Sequence, residues 1–302
     1  MIHASLFMNT DIEVQLPVPV QVILTADDGY PLSARLFKCE NKARAKLIVA
    51  GATGVPQTFY QAFAMYAASQ GYETLTLDYR GIGNSKPATL NGFEMAYLDW
   101  AYQDLAAAVE YMHSDAEPLY MIGHSFGGHA FGLLPNHQKF AKFYTFATGA
   151  GWHGWMPKSE QVKVFFLWNL MGPLLVRWKG YLAWSKLGMG ADLPKGVFRD
   201  WKHWCQFQRY FFDDPSASHI HQSFKSVKTP IMAANATDDL WAMPKSRDAF
   251  MSGYPTGIWQ GIDIEPASLG LKQIGHMGYF RRNAQPLWEN ALNWFDGKTK
   301  AT

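Results

Sequence analysis

One hexapeptide combines residue types at a spacing suited to nucleophilic chemistry. Gly123-His124-Ser125-Phe126-Gly127-Gly128 sets a serine between glycines two positions before and two positions after it. An apolar run ends here and a helical pattern starts, so the serine falls on a strand-to-helix turn. On a turn that sharp the hydroxyl points away from the sheet, and the flanking glycines let the backbone close without collision. The helix that follows leaves unpaired N–H groups and a positive dipole end beside the place where an oxyanion would form. A serine hydroxyl is barely ionised at neutral pH, so it requires a base, and the base requires an orienting carboxylate. His276, the last of ten histidines, stands close to glycines in Ile274-Gly275-His276-Met277-Gly278. Carboxylates stand at the end of Ala234-Asn235-Ala236-Thr237-Asp238-Asp239, with Trp241 and Pro244 behind them.

These stretches resemble the motifs of the α/β-hydrolase fold superfamily, with 123–127 similar to its nucleophile elbow. Asp78-Tyr79-Arg80-Gly81-Ile82-Gly83-Asn84-Ser85 is similar to the DxRGxGxS stretch after a core strand, and 274–278 to the histidine loop. The resemblance covers about 20–150 and 223–296. It implies a triad in the order Ser, Asp, His, with Ser125 as nucleophile and His276 as base. The acid is Asp239, whose distance to the following proline-containing segment fits better, with Asp238 as the alternative. The losing aspartate is a cap or turn residue. The resemblance also implies an oxyanion hole from the Phe126 N–H and one donor in Gly51-Ala52-Thr53-Gly54. That donor is Thr53, or Ala52 in a shifted register, since the common His-Gly dipeptide is absent.

The elements that must position these residues read as alternating strand and helix. Val20–Thr25 and 31–38 form a hairpin about Asp27-Asp28-Gly29. Strands follow at 46–50, 72–78, 119–122, 141–148 and 229–234, with a further one before His276. Helices are expected between Phe59 and Gly71, over 93–112, from 129 to 134, near Pro244–Met251 and at Gln285–Phe295. Such alternation implies a mostly parallel central sheet with helices on both faces, the α/β class.

Between 152 and 212 the pattern changes. Seven Trp, six Phe and two Tyr fall in 61 residues, with nine Lys/Arg against three Asp/Glu, a local +6 that leaves the remainder at −4. No strand is evident, and the aromatics suggest short helices. The expected organisation is a core of 1–150 and 223–302 with 151–222 inserted as a helical cap. Most of the rings pack, and a few line an apolar slot over Ser125, which favours an acyl chain or hydrophobic leaving group.

The remaining motifs have structural readings. His124 and His129 pack or hydrogen-bond beside the elbow. His219-Ile220-His221 lacks a carboxylate or cysteine at ligand spacing, so no metal is expected. Gly81-Ile82-Gly83 lacks the third glycine of a dinucleotide fingerprint, and no cofactor is implied. Arg80 ties loops together, and Cys205 is a small buried hydrophobe. A net charge of +2 without a basic block gives no nucleic-acid footprint. Two distant cysteines, no signal-like start in 1–14 and no run of 18 apolar residues give the expectation of a soluble, cytoplasmic chain without an integral membrane segment. The functional expectation is a serine hydrolase that cleaves a small hydrophobic carboxylic ester, or less readily an amide or thioester, through an acyl-enzyme. Acyl transfer, carbon–carbon hydrolysis and perhydrolysis use the same triad, and a non-catalytic binding protein is the remaining alternative.

Overall fold

The computed structural model describes residues 19–188 and 190–298. Its centre is an eight-stranded sheet of β1 (Val20–Thr25), β2 (Pro31–Phe37), β3 (Ala45–Ala50), β4 (Tyr72–Leu77), β5 (Leu119–His124), β6 (Phe140–Phe146), β7 (Ile231–Ala236) and β8 (Trp259–Ile264) in the order β1-β2-β4-β3-β5-β6-β7-β8. β1 and β2 pair antiparallel, as a short hairpin turn allows, β2 pairs antiparallel with β4, and the strands from β4 across β3 to β8 pair parallel, as helical crossovers require. The central strands carry apolar side chains on both faces, because helices cover both. Along β3, Leu47 and Val49 join one core, while Ile48 and Ala50 join the other.

The helices are α1 (Gln61–Ser69), α2 (Ala106–Met112), α3 (Phe126–Ala130), α4 (Lys158–Phe166), α5 (Gly172–Lys179), α6 (Lys195–Trp204), α7 (Ser218–Ser226), α8 (Pro244–Met251) and α9 (Gln285–Phe295). α1 and α9 cover one face through Phe63, Ala67, Trp288 and Phe295. α2, α3 and α8 cover the other. α4 to α7 all lie in the segment between β6 and β7, so the aromatic-rich stretch is a helical insertion in the sheet's connectivity. Its only strand-like feature among the described residues is a bridge between Leu182 and Leu193.

Three expectations about elements need correction. The helix expected over 93–112 begins only near Trp100, with a π-helical turn (Trp100–Leu105) leading into α2. Before it, 93–97 is irregular chain that buries Met95 and Tyr97, and Met95 lies so close to α6 that a Cβ on Gly196 would come within 1.7 Å of its carbonyl oxygen. Docking of the insertion thus overrides an apolar spacing that reads as helical. The helix expected from 129 begins at Phe126, immediately after the serine. The strand expected over 141–148 stops at Phe146, since Ala147 turns to φ 55°.

A buried ion pair joins the sheet to the loops around it. Arg80 donates through Nε to Asp104 Oδ1 at 2.6 Å and through its backbone N–H to Oδ2 at 2.7 Å, and reaches Asp28 with Nη2 at 3.1 Å. Asp104 is fully buried. Arg80→Met removes its counter-charge and is expected to cost about 3–5 kcal/mol in denaturant unfolding. Adding Asp104→Asn, which keeps an acceptor for the Arg80 N–H, should restore more than half of that loss.

Candidate active site

The site is assembled where three parallel strands end. β5 delivers Ser125 at φ 51°, ψ −108°, a backbone conformation that L residues rarely adopt and that costs on the order of 1–3 kcal/mol. The surroundings impose it. Ser125 N–H donates to Phe146 O at 3.0 Å, while its carbonyl accepts from Gly128 N–H at 2.9 Å and Thr148 Oγ1 at 3.0 Å. Close approach explains the glycines. A Cβ on Gly127 would stand 2.0 Å from Ala50 O, and one on Gly123 would stand 2.7 Å from the Gly127 carbonyl carbon.

His276, on the loop before α9, brings Nε2 to 3.1 Å from Ser125 Oγ and Nδ1 to 3.0 Å from both carboxylate oxygens of Asp239. Asp239 is completely buried at the end of β7. Its oxygens also accept from the Trp241 and Ala242 N–H groups and from the Tyr279 hydroxyl, at 3.1, 3.0 and 3.2 Å. Burial first, and the Asp239 charge second, push the Tyr279 phenol up, so it stays protonated and donates. Asp238 points elsewhere, accepting from the Ile274 and Gly275 N–H groups at 2.9 and 3.0 Å. The two aspartates thus divide the work: Asp239 meets the imidazole, and Asp238 clamps the backbone that carries it.

A tyrosine takes up the Ala52 N–H. The Tyr60 hydroxyl accepts the Ala52 N–H at 2.7 Å and bonds His124 Nδ1 at 2.9 Å, and His124 Nε2 lies 2.9 Å from His276 O. Only one tautomer satisfies this chain, with His124 donating from Nε2 and accepting at Nδ1. Burial, reinforced by His276, drives the His124 pKa down to about 3, which keeps the ring neutral. Ala52 N–H is therefore occupied. Thr53 N–H and Phe126 N–H donate to no protein acceptor among the described residues. The Thr53 hydroxyl bonds Tyr97, whose ring packs 4.5 Å from that of Phe126. On the next residue, Gly54 O accepts from Ala191 N–H of the insertion at 3.0 Å.

A cavity of about 540 Å³ opens over Ser125 and His276, bordered by Thr53 and by Trp184, Trp201 and Trp241. No Asp, Glu, Lys or Arg is among the described residues lining it. His129 also borders it, but its Nε2 bonds Gly149 O at 2.9 Å, its ring stacks on Tyr210 at 4.6 Å, and burial lowers its pKa to about 4. The elbow thus holds two neutral structural histidines beside the one that reaches the serine. His221 Nε2 bonds Phe211 O, and no cluster of three potential metal ligands occurs among the described residues. Cys205 is buried, and that burial pushes its thiol pKa up. Tyr60, Tyr97 and Tyr279 went unnoticed in the sequence, since nothing local distinguishes them from core aromatics.

The arrangement can do acyl-transfer chemistry: a hydroxyl in reach of an imidazole, a buried carboxylate behind it, and backbone donors beside an apolar slot. Tyr60→Phe leaves the Ala52 N–H and His124 Nδ1 without their partner, and a stability loss of about 1–3 kcal/mol in denaturant unfolding is expected.

A family model described as serine aminopeptidase, S33, matches residues 41–205, more than half of the 302. No curated protein sequence matches the chain. Among solved structures, a soluble variant of monoglyceride lipase from Saccharomyces cerevisiae, in complex with a substrate analogue, aligns with TM-score 0.70 and 17% identity over 96% of this chain and 99% of the other. An α/β hydrolase from a Penicillium species gives 0.62 and 15% over 93% and 99%. Alpha/beta hydrolase domain-containing protein 10 from mouse gives 0.59 and 16% over 93% and 100%. At these identities the likeness is one of fold.

Proposed function

The chain belongs to the S33 serine aminopeptidase-like family of α/β-hydrolase enzymes, and from that premise we propose that it is a serine hydrolase acting on carboxylic esters with an apolar acyl or alcohol part. The observation that carries this reading is the continuous path Ser125 Oγ, His276 Nε2, His276 Nδ1, Asp239. His276 takes the serine proton as Oγ attacks the ester carbonyl, and Asp239 stabilises the imidazolium that forms. Phe126 and Thr53 N–H groups receive the oxyanion. His276 then protonates the leaving alcohol, and water repeats the sequence to release the acid. In this proposal 151–222 acts as a cap on a core of 1–150 and 223–302, supplying Trp184 and Trp201 to the slot.

The family description names an aminopeptidase, and the slot argues for another substrate. A peptide's free N-terminus is an ammonium, and no described lining residue offers the carboxylate that would offset its desolvation. An ester with hydrocarbon flanks makes no such demand and gains from tryptophan contact.

Treatment with a fluorophosphonate followed by intact-mass measurement tests the nucleophile: one adduct is expected on wild type and none on Ser125→Ala. Labelling of the Ser125→Ala variant would overturn the assignment. Ser125→Ala and Asp239→Asn should each lower kcat by roughly three or more orders of magnitude. Across nitrophenyl esters of increasing acyl length, kcat/KM should rise about four-fold per methylene until the slot is full. Aminoacyl nitroanilides should be poor substrates; faster turnover of these than of the esters would favour the peptidase reading.

A further inference from the structure

The outward face of α4 and α5 has no protein partner among the described residues. Twelve large hydrophobic side chains are exposed on the described chain, and seven of them fall between 162 and 178. Isolated exposed apolar residues are ordinary, whereas a contiguous run of them marks an interaction surface. Val162, Phe166, Leu170, Leu174 and Trp178 stand four residues apart and so form one ridge, with Phe165 beside it. A step of four overshoots the 3.6-residue turn, and the wider π-helical turn at Leu167–Met171 swings the ridge back into line. The inner face is already engaged: Val164, Leu167 and Trp168 are buried, and the Trp168 ring meets Trp201 at 4.9 Å. The helix is thus apolar on two sides and covered on one.

Charge identifies what covers the other. Between 158 and 179 stand Lys158, Lys163, Arg177 and Lys179 against one acid, Glu160, which Lys163 pairs at 2.6 Å. Trp178, 75% exposed, closes the ridge between Arg177 and Lys179, with the Lys179 ammonium 4.0 Å over its ring. A second copy of this face would bring cations against cations, with no spare carboxylate to meet them. Phosphate headgroups over hydrocarbon supply both complements. No described helix is long and apolar enough to cross a bilayer, so the contact is one of a helix lying in the plane of the interface.

We propose that this face docks on an anionic phospholipid bilayer, the ridge entering the boundary between headgroups and acyl chains while Lys158, Arg177 and Lys179 meet the phosphates. The proposal stands independently of the reaction at Ser125. Co-sedimentation of the full chain tests it with vesicles of phosphatidylcholine holding about a third phosphatidylglycerol, and with phosphatidylcholine alone. Partition onto the mixed vesicles is expected to exceed that onto the neutral ones and to weaken as salt is raised. Phe165→Ser/Leu174→Ser/Trp178→Ser should lower it by about ten-fold or more at an unchanged melting temperature. Arg177→Glu/Lys179→Glu should abolish the preference for the mixed vesicles. Ile23→Ser, exposed on β1 and distant from the ridge in sequence, should bind as wild type does. The proposal is overturned by absence of binding to both vesicles, by binding that both ridge variants retain in full, or by a dimer in solution that the triple substitution converts to monomer.

Discussion

The contact between Gly127 and the carbonyl of Ala50 fixes how close the elbow can sit to the sheet, and most of the site follows from it. Because no Cβ intervenes, α3 starts one residue after Ser125, which forces the serine into its strained backbone conformation. That strain is held by bonds from neighbouring strands: Phe146 at the end of β6 takes the Ser125 N–H, and Thr148 just beyond caps its carbonyl. The neighbouring strand β3 ends at Ala50 and runs straight into the loop bearing Ala52 and Thr53. One close approach therefore sets Ser125, the helix start and the Thr53 loop together. Rigid strand ends give the precision that a site on free loops would lack.

Polar chains behind the serine extend this order outward. Tyr60 and His124 connect the Ala52–Thr53 loop to the backbone of His276, while Asp238 holds the His276 loop through the Ile274 and Gly275 N–H groups. The histidine is thus tethered through its own carbonyl, through the two preceding N–H groups and through its ring. A loop with so many fixed points loses little freedom when the imidazole meets a substrate, which is what positioning contributes to rate.

The fold was legible in the sequence wherever a pattern has a local cause. Short, mostly apolar runs followed by glycine loops mark β3, β4 and β5, and α9 was legible to its last residue because it packs by a regular stripe. Where tertiary contact decides, the sequence misleads: Phe93, Tyr97 and Trp100 have helical spacing, yet 93–97 is irregular, since α6 settles on Met95 and Tyr97. The same distinction holds at the site. Ser125 and His276 stand in motifs whose glycines serve the turn itself. Which aspartate meets His276, and whether the Ala52 N–H is occupied, depends on where a side chain lands after folding, and Tyr60 and Tyr279 act across long sequence separations that no window reveals.

The bond from Ala191 to Gly54 joins the helical insertion to the same short loop that carries Thr53. Removing the insertion would therefore not yield the same enzyme with a wider mouth. It would free one edge of the Thr53 loop, so the width of the mouth and the geometry of that loop cannot be varied separately. Lineages that shorten this insertion must re-anchor that loop in the same step, which ties the evolution of specificity to that of rate.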